Sequence, residues 1–273
     1  MTNDALGSVV SIWRYPVKSM MGEELNAADL TQRGVLGDRA HALIDVETGK
    51  VASAKNPRKW PGLFEFRSSY AEPPRSGHEL PPVIITLPKG ETVLSDDPDV
   101  HEVLSSALGR QVALKAMAPE APSLEEYWPD MNGLAHRDAV TEEGMPPNTF
   151  FDAAVIHVLT TATLDQLRAL NSEARFEVRR FRPNLVVQAS ASEKGFMENG
   201  WGGQSLAVGD SVRLKVNGPC PRCVMTTLQQ GDLPKDVGIL RTAAQHNGAN
   251  VGVYADVERF GAVRRGDLVT LEP

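Results

Sequence analysis

The chain has 273 residues, enough for one large domain or two modest ones, and its 41% hydrophobic and 23% charged residues are the balance of a folded globular protein. A net charge of −7 sets nucleic acid aside as a partner, because a binder of phosphate backbone needs a basic face. No charged-then-apolar leader opens the chain, and no apolar run approaches the roughly eighteen residues of a membrane span, so a cytoplasmic protein with no membrane partner is expected.

Short extended runs broken by turns recur along the chain. Residues 7–15 read as a strand, with Val9, Ser11 and Trp13 on one face and Val10, Ile12 and Arg14 on the other. Residues 40–46, the turn Glu47-Thr48-Gly49-Lys50 and residues 51–54 read as a hairpin, the glycine taking a backbone angle other residues avoid. Residues 82–87 form a β-branched strand that Pro88-Lys89-Gly90 turns back into 91–94. A helix is expected from near Asp99 to Leu108, striped by Val100, Val103, Leu104 and Ala107 and stopped by Gly109. Residues 117–149 are rich in proline, glycine and acids without periodicity, which reads as a linker or an active-site loop. Tyr127 and Trp128 speak against disorder there. A second helix runs over 163–170 on Leu164, Leu167 and Leu170, and strands return at 184–188, 205–208, 211–216, 251–255 and 267–271. Many strands and few helices predict a mainly β protein of barrels or closed sheets.

The chain has two cysteines, Cys220 and Cys223, separated by Pro221 and Arg222, and such a pair suits a reducing compartment. A structural zinc site normally takes four ligands, and no second Cys or His pair completes this one. Residues 224–228 read as continuing strand, which disfavours a thioredoxin-like dithiol opening a helix. Two packed thiols are the plain reading. Against it, Arg222 would hold a neighbouring thiol as thiolate and attract an anion, and a soft thiolate beside a cation suits a metal carried by an anionic cofactor.

Arg179, Arg180 and Arg182 precede Pro183 and Asn184 and read as alternate arginines at a strand mouth, able to grip phosphate in forked geometry. Lys18 and Ser19, just past the first strand, can bind phosphate or simply be surface. Asp38 and Arg39 can pair with each other at little net gain. Arg264 and Arg265 read as a solvated strand edge.

Together, Tyr15-Pro16-Val17-Lys18-Ser19, Gly37-Asp38-Arg39, Arg180-Phe181-Arg182-Pro183-Asn184 and Cys220-Pro221-Arg222-Cys223 with Thr226-Thr227 resemble the MOSC superfamily. The name denotes the molybdenum cofactor sulfurase C-terminal domain, here with its N-terminal barrel companion, in the pattern of the amidoxime-reducing components of mitochondria and their bacterial relatives. The resemblance implies a MOSC β-barrel packed with an N-terminal β-barrel-like domain, placed at 1–116 and 150–273 around a 117–149 loop or linker. It implies a molybdopterin-type molybdenum cofactor between the two parts. Cys223 would be the metal ligand and catalytic residue, with Lys18, Ser19, Arg39, Asp152, Arg182, Asn184 and Arg222 binding the cofactor. Two departures stand out: Pro221 replaces a serine of the amidoxime-reducing pattern, and Ala153 and Ala154 replace hydroxyl residues after Asp152.

The resemblance further implies two-electron reduction of N-hydroxylated small molecules. Two cysteines are too few for a four-cysteine iron–sulfur cluster, so a separate ferredoxin or reductase would deliver electrons. A sulfur-carrier or cofactor-handling protein with a Cys223 persulfide is the second reading, and a passive cofactor module the third. Pyridoxal phosphate belongs to fused sulfurases with an aminotransferase-like domain, and nothing in this sequence calls for it.

Overall fold

The computed structural model describes residues 5–272. Seven strands close a barrel: Leu185–Ala189, Ile156–Thr160, Asn250–Arg259, Val212–Pro221, Ser205–Val208, Leu268–Glu272 and Gly7–Arg14, the last pairing back to the first. Closure leaves no open edge. Neighbours are antiparallel except Ile156–Thr160 against Leu185–Ala189. That parallel step needs a crossover, and the helices Thr161–Leu170 and Val178–Phe181 provide it. Alternate side chains such as Val212, Leu214 and Val216 point inward and fill the barrel with Leu206, Val253 and Val269.

The first strand departs from strict alternation. Its register shifts between Val9 and Ser11, and this bulge brings Val9 and Ile12 into the same core. The expected faces are therefore not kept past Val10. The strand expected at 211–216 continues to Pro221. Residues 224–228 do not continue as strand: Val224–Thr227 is a 3-10 turn. The Thr226 and Thr227 hydroxyls donate back to the carbonyls of Cys223 and Val224, which offers the backbone a local alternative to the sheet.

A second core lies among residues of the first half, with Val17, Met20, Leu43, Trp60, Phe64 and Phe66 at its centre. The hairpin expected at 40–54 forms: Val51 bridges Ile44, and Ala42–Asp45 pairs on its other side with Val112–Lys115. The helix Val100–Leu108 ends on left-handed Gly109, as its stripe predicts. Residues 117–149 are not a plain linker. They contain the strands Ser123–Trp128 and Ala139–Gly144, paired as a hairpin and tied to Val51 through Leu124.

The helix Gly238–Asn247 has no counterpart in the sequence reading. Its buried Ile239, Leu240 and Ala243 make too short a stripe to stand out. No helix among the described residues is long and apolar enough to cross a membrane.

Candidate active site

A cavity of about 460 Å³ is lined by Lys18, Ser19, Arg39, Asp152, Arg182, Asn184, Arg222 and Cys223 together. Lys18 and Ser19 follow the first barrel strand, Arg222 and Cys223 follow a later one, and Arg182 caps the short helix Val178–Phe181. Cys223 and Met225 pack against the core of the first half.

Backbone strain concentrates at this cavity. Ser19, Arg39, Arg182 and Ala249 line it with φ of 63°, 47°, 52° and 63°, and only two other non-glycine residues among those described have positive φ. A left-handed angle at an L-residue costs on the order of 1–2 kcal/mol. Such strain persists where surrounding packing holds it, and it clusters at ligand clamps.

The charges are arranged around Tyr15. The guanidinium of Arg182 sits 4.1 Å from its ring centre and that of Arg39 sits 4.8 Å away. Arg39 donates to Asp38, whose carboxylate also accepts from the Tyr15 amide at 2.7 Å and from Asn184 Nδ2 at 2.9 Å. The Asn184 carbonyl oxygen accepts from the His157 amide at 3.1 Å. Both ends of Asn184 are thus engaged within the protein, and through Asp38 it sets Arg39.

Lys18 Nζ donates to Asp152 at 2.6 Å, and Lys55 Nζ lies 4.0 Å from the same carboxylate and 3.0 Å from Glu126. Burial pulls the Lys18 ammonium down to about 8 despite Asp152. Burial works against the Asp152 carboxylate too, but Lys18 and Lys55 prevail and hold it below the usual carboxylate range.

Arg182 and Arg222 differ from the other cations. Arg182 donates to the Met20 carbonyl at 2.7 Å and has no carboxylate within ion-pair distance among the described residues. Burial lowers it to about 10. Arg222 donates to the Phe181 carbonyl at 2.8 Å, and its buried Nε has no partner. Its guanidinium also lies 6.0 Å from the Phe181 ring centre, and Nη1 meets the other cysteine, 2.7 Å from Cys220 Sγ.

The two thiols therefore stand in opposite surroundings. Cys220 is fully buried as a packed thiol should be, but burial is outweighed by Arg222 and His157, which bring it down to about 6. Burial pushes the Cys223 thiol up to about 11, with Glu126 adding to the effect and Lys55 opposing it.

The expected row of alternate arginines is a helical turn instead. Arg180 turns away from the cavity and donates to the carbonyls of Arg175, Thr226, Leu228 and Pro234, a structural clamp. Arg179 pairs with Glu177 and Asp232. Arg182 alone of the three reaches the cavity, because its left-handed backbone ends the helix and redirects the chain. Arg265 donates to the Val10 carbonyl and pairs with Glu24 at an exposed edge.

Lys55, Glu126 and Tyr254 also line the cavity and carry no expectation from sequence, and Trp128, expected only to speak against disorder, lines it too. Lys55 follows a recognised strand but carries no motif, and Glu126 and Trp128 lie in the segment without periodicity.

Residues 6–96 match the MOSC N-terminal beta barrel domain, and residues 146–270 match the MOSC domain. The chain belongs to the MOSC family. The first barrel strand falls within the N-terminal match yet completes the barrel built otherwise from MOSC-domain strands. Mitochondrial amidoxime reducing component 2 of Rattus norvegicus is 24% identical over 97% of this chain and 83% of its own length. The protein of the same name from Homo sapiens is 25% identical over the same shares. Molybdenum cofactor sulfurase of Bombyx mori is 35% identical over 34% of this chain and 11% of its own. A solved structure, the YUAD protein of Bacillus subtilis, aligns over 97% of this chain and 94% of its own at TM-score 0.47 and 14% identity.

Proposed function

We propose that this MOSC protein holds a molybdopterin-type molybdenum cofactor in the cavity and reduces N-hydroxylated small molecules with electrons from a separate donor protein. The observation that carries the reading is Arg182: a buried guanidinium with no carboxylate partner among the described residues, in a cavity that also offers Arg222 and a thiol. Burying a cation unpaired is costly, and a phosphate would supply the missing counter-charge in the geometry guanidinium prefers. The family and the amidoxime reducing names of its relatives support the same reading.

In this reading Lys18, Ser19, Arg39, Arg182 and Arg222 hold the phosphate, and Cys223 is the soft ligand of the metal. Asn184 and Asp152 act as positioning residues, the first through Asp38 and the second by fixing Lys18 and Lys55. Bound there, the cofactor supplies two-electron redox chemistry. The overall reaction takes two electrons and two protons, breaks the N–O bond and releases water. Burial works against the Lys55 ammonium, but Asp152 and Glu126 prevail, so Lys55 Nζ keeps its proton in the cavity. Two cysteines, too few for a four-cysteine iron–sulfur cluster, and the lack of a Gly-x-Gly-x-x-Gly run support a separate electron donor.

A sulfur-carrier role ranks second. A metal-free Cys223 held at about 11 is mostly thiol at neutral pH, which suits persulfide transfer poorly. The test is to purify the protein from a host that makes the cofactor and measure molybdenum and pterin per chain. Loaded protein should reduce an amidoxime with reduced viologen and be inert with nicotinamide alone. No reduction of any N-hydroxylated compound, with sulfur accepted at Cys223 from a persulfide donor, would replace this reading with the second.

A further inference from the structure

The hairpin of Ser123–Trp128 and Ala139–Gly144 carries two pairs of adjacent acids, Glu125-Glu126 and Glu142-Glu143. Successive strand residues point to opposite faces, so each pair puts one acid outward and one inward. The outward acids, Glu125 and Glu142, are both met by Lys50. Inward, Glu126 is met by Lys55. Glu143 lines the cavity and, among the described residues, has no cation within ion-pair distance. Its one hydrogen bond comes from the Thr141 hydroxyl at 2.6 Å, and that hydroxyl in turn accepts from Trp128 Nε1 at 2.7 Å.

Thr141 therefore locks an aromatic ring and a carboxylate side by side on the inner face. The hairpin that carries them is fixed at both ends: Leu124 bridges Val51 at its base, and Arg58 grips Tyr127 and Asp138 toward its tip. The cavity is thus polarised. A cation without an anion, Arg182, stands on the barrel side, and an anion without a cation, Glu143, stands on the hairpin side beside a flat apolar surface.

We infer that the hairpin is the substrate-selecting wall of the cavity, with Trp128 stacking on a planar ring and Glu143 accepting from an attached amino or amidinium group. The preferred substrates are then aryl N-hydroxyamidines, whose reduced products are amidinium cations, over small aliphatic analogues. This inference rests on the proposed reductase function but is tested separately from it. A stacked ring and a charge-assisted hydrogen bond are each worth about tenfold in affinity.

The probes are benzamidine and acetamidine, titrated by calorimetry into cofactor-free and cofactor-loaded protein. Wild type should bind benzamidine about tenfold more tightly than acetamidine, in both forms. Trp128→Leu, which keeps an apolar side chain, should abolish that difference, and Glu143→Gln should weaken both probes. In loaded protein, Trp128→Leu should reduce the preference for benzamidoxime over acetamidoxime, with the loss falling mainly on KM. Benzamidine that fails to bind wild type, binds the variants equally well, or is displaced by cofactor loading would overturn the assignment, the last because Glu143 would then serve the pterin. If loaded wild type reduces neither amidoxime, the reductase reading fails on its own, whatever the binding titrations give.

Discussion

On the barrel side of the cavity, Lys18, Arg39, Arg182 and Arg222 arrive from four distant segments, and Arg39 and Arg182 sit on left-handed backbone. Across from them, Glu126, Trp128 and Glu143 come from one hairpin whose ladder pairs residues close in sequence. The first wall exists only when the whole fold does, and its strain and buried charge are held by packing elsewhere. The second can change its side chains without dismantling the barrel. Binding of an anion and choice of substrate should therefore respond to different substitutions.

The most severe test of this division is Cys223→Ser. In the proposed function it replaces a soft thiolate with a hydroxyl, so bound molybdenum and activity should both be lost. Cys220→Ser should retain metal but lower stability by about 2 kcal/mol, because half-buried Arg222 would face a weaker, neutral acceptor. Denaturant unfolding and metal analysis of the two variants check this. Equal loss of metal from both would make the pair a dithiol site.

Arg182→Gln comes next. Inorganic pyrophosphate affinity of the cofactor-free protein should fall by about tenfold or more. Thermal stability should hold, since the residue removed is a buried cation lacking an ion-pair partner. A large drop in melting temperature with unchanged pyrophosphate affinity would mean that Arg182 serves the fold alone.

The pH response separates binding from stability by sign. Burial brings Lys18 from 10.5 to about 8, so its charge is lost as pH rises through about 8. Pyrophosphate affinity should weaken over that range by up to about tenfold per pH unit. Between about 8 and 10.5 the unfolded chain holds the proton that the folded chain has released. The Lys18 contribution to stability therefore rises with pH across the same window. Titrations and melts of wild type against Lys18→Met measure both, and parallel trends would contradict the buried-lysine account.

Thr141→Val is the mildest test. It frees Trp128 and Glu143 from their shared hydroxyl, which should cost about 1 kcal/mol of stability and weaken benzamidine binding. Pyrophosphate affinity should stay within about twofold. If it changed as much as benzamidine affinity, the two walls would not be independent.

The barrel was legible where residues alternate cleanly, as at Val212, Leu214 and Val216. It was misread at Val10, where a bulge breaks the period, and at residues 224–228, where threonine hydroxyls compete with the sheet for the backbone. The eight residues implied by the motifs and the family resemblance all line one cavity. In sequence Arg179, Arg180 and Arg182 read alike, because spacing alone carries no direction. Only the left-handed turn at Arg182 separates the one that faces the cavity from the two that do not. The hairpin wall was hidden because an acidic strand pair with one inward face looks, as sequence, like a solvated loop.

What the sequence determined by itself is the inventory: a β-rich chain, two cysteines at close spacing, and cationic motifs in a recognisable order. Those follow from local periodicity and residue chemistry, which act over a few residues. The tertiary structure decided which thiol Arg222 touches, which cations remain without carboxylates, and that Glu143 alone among the four glutamates on the hairpin strands lacks a lysine. Burial and charge pairing depend on what is packed opposite, and barrel closure places residues from both ends of the chain there.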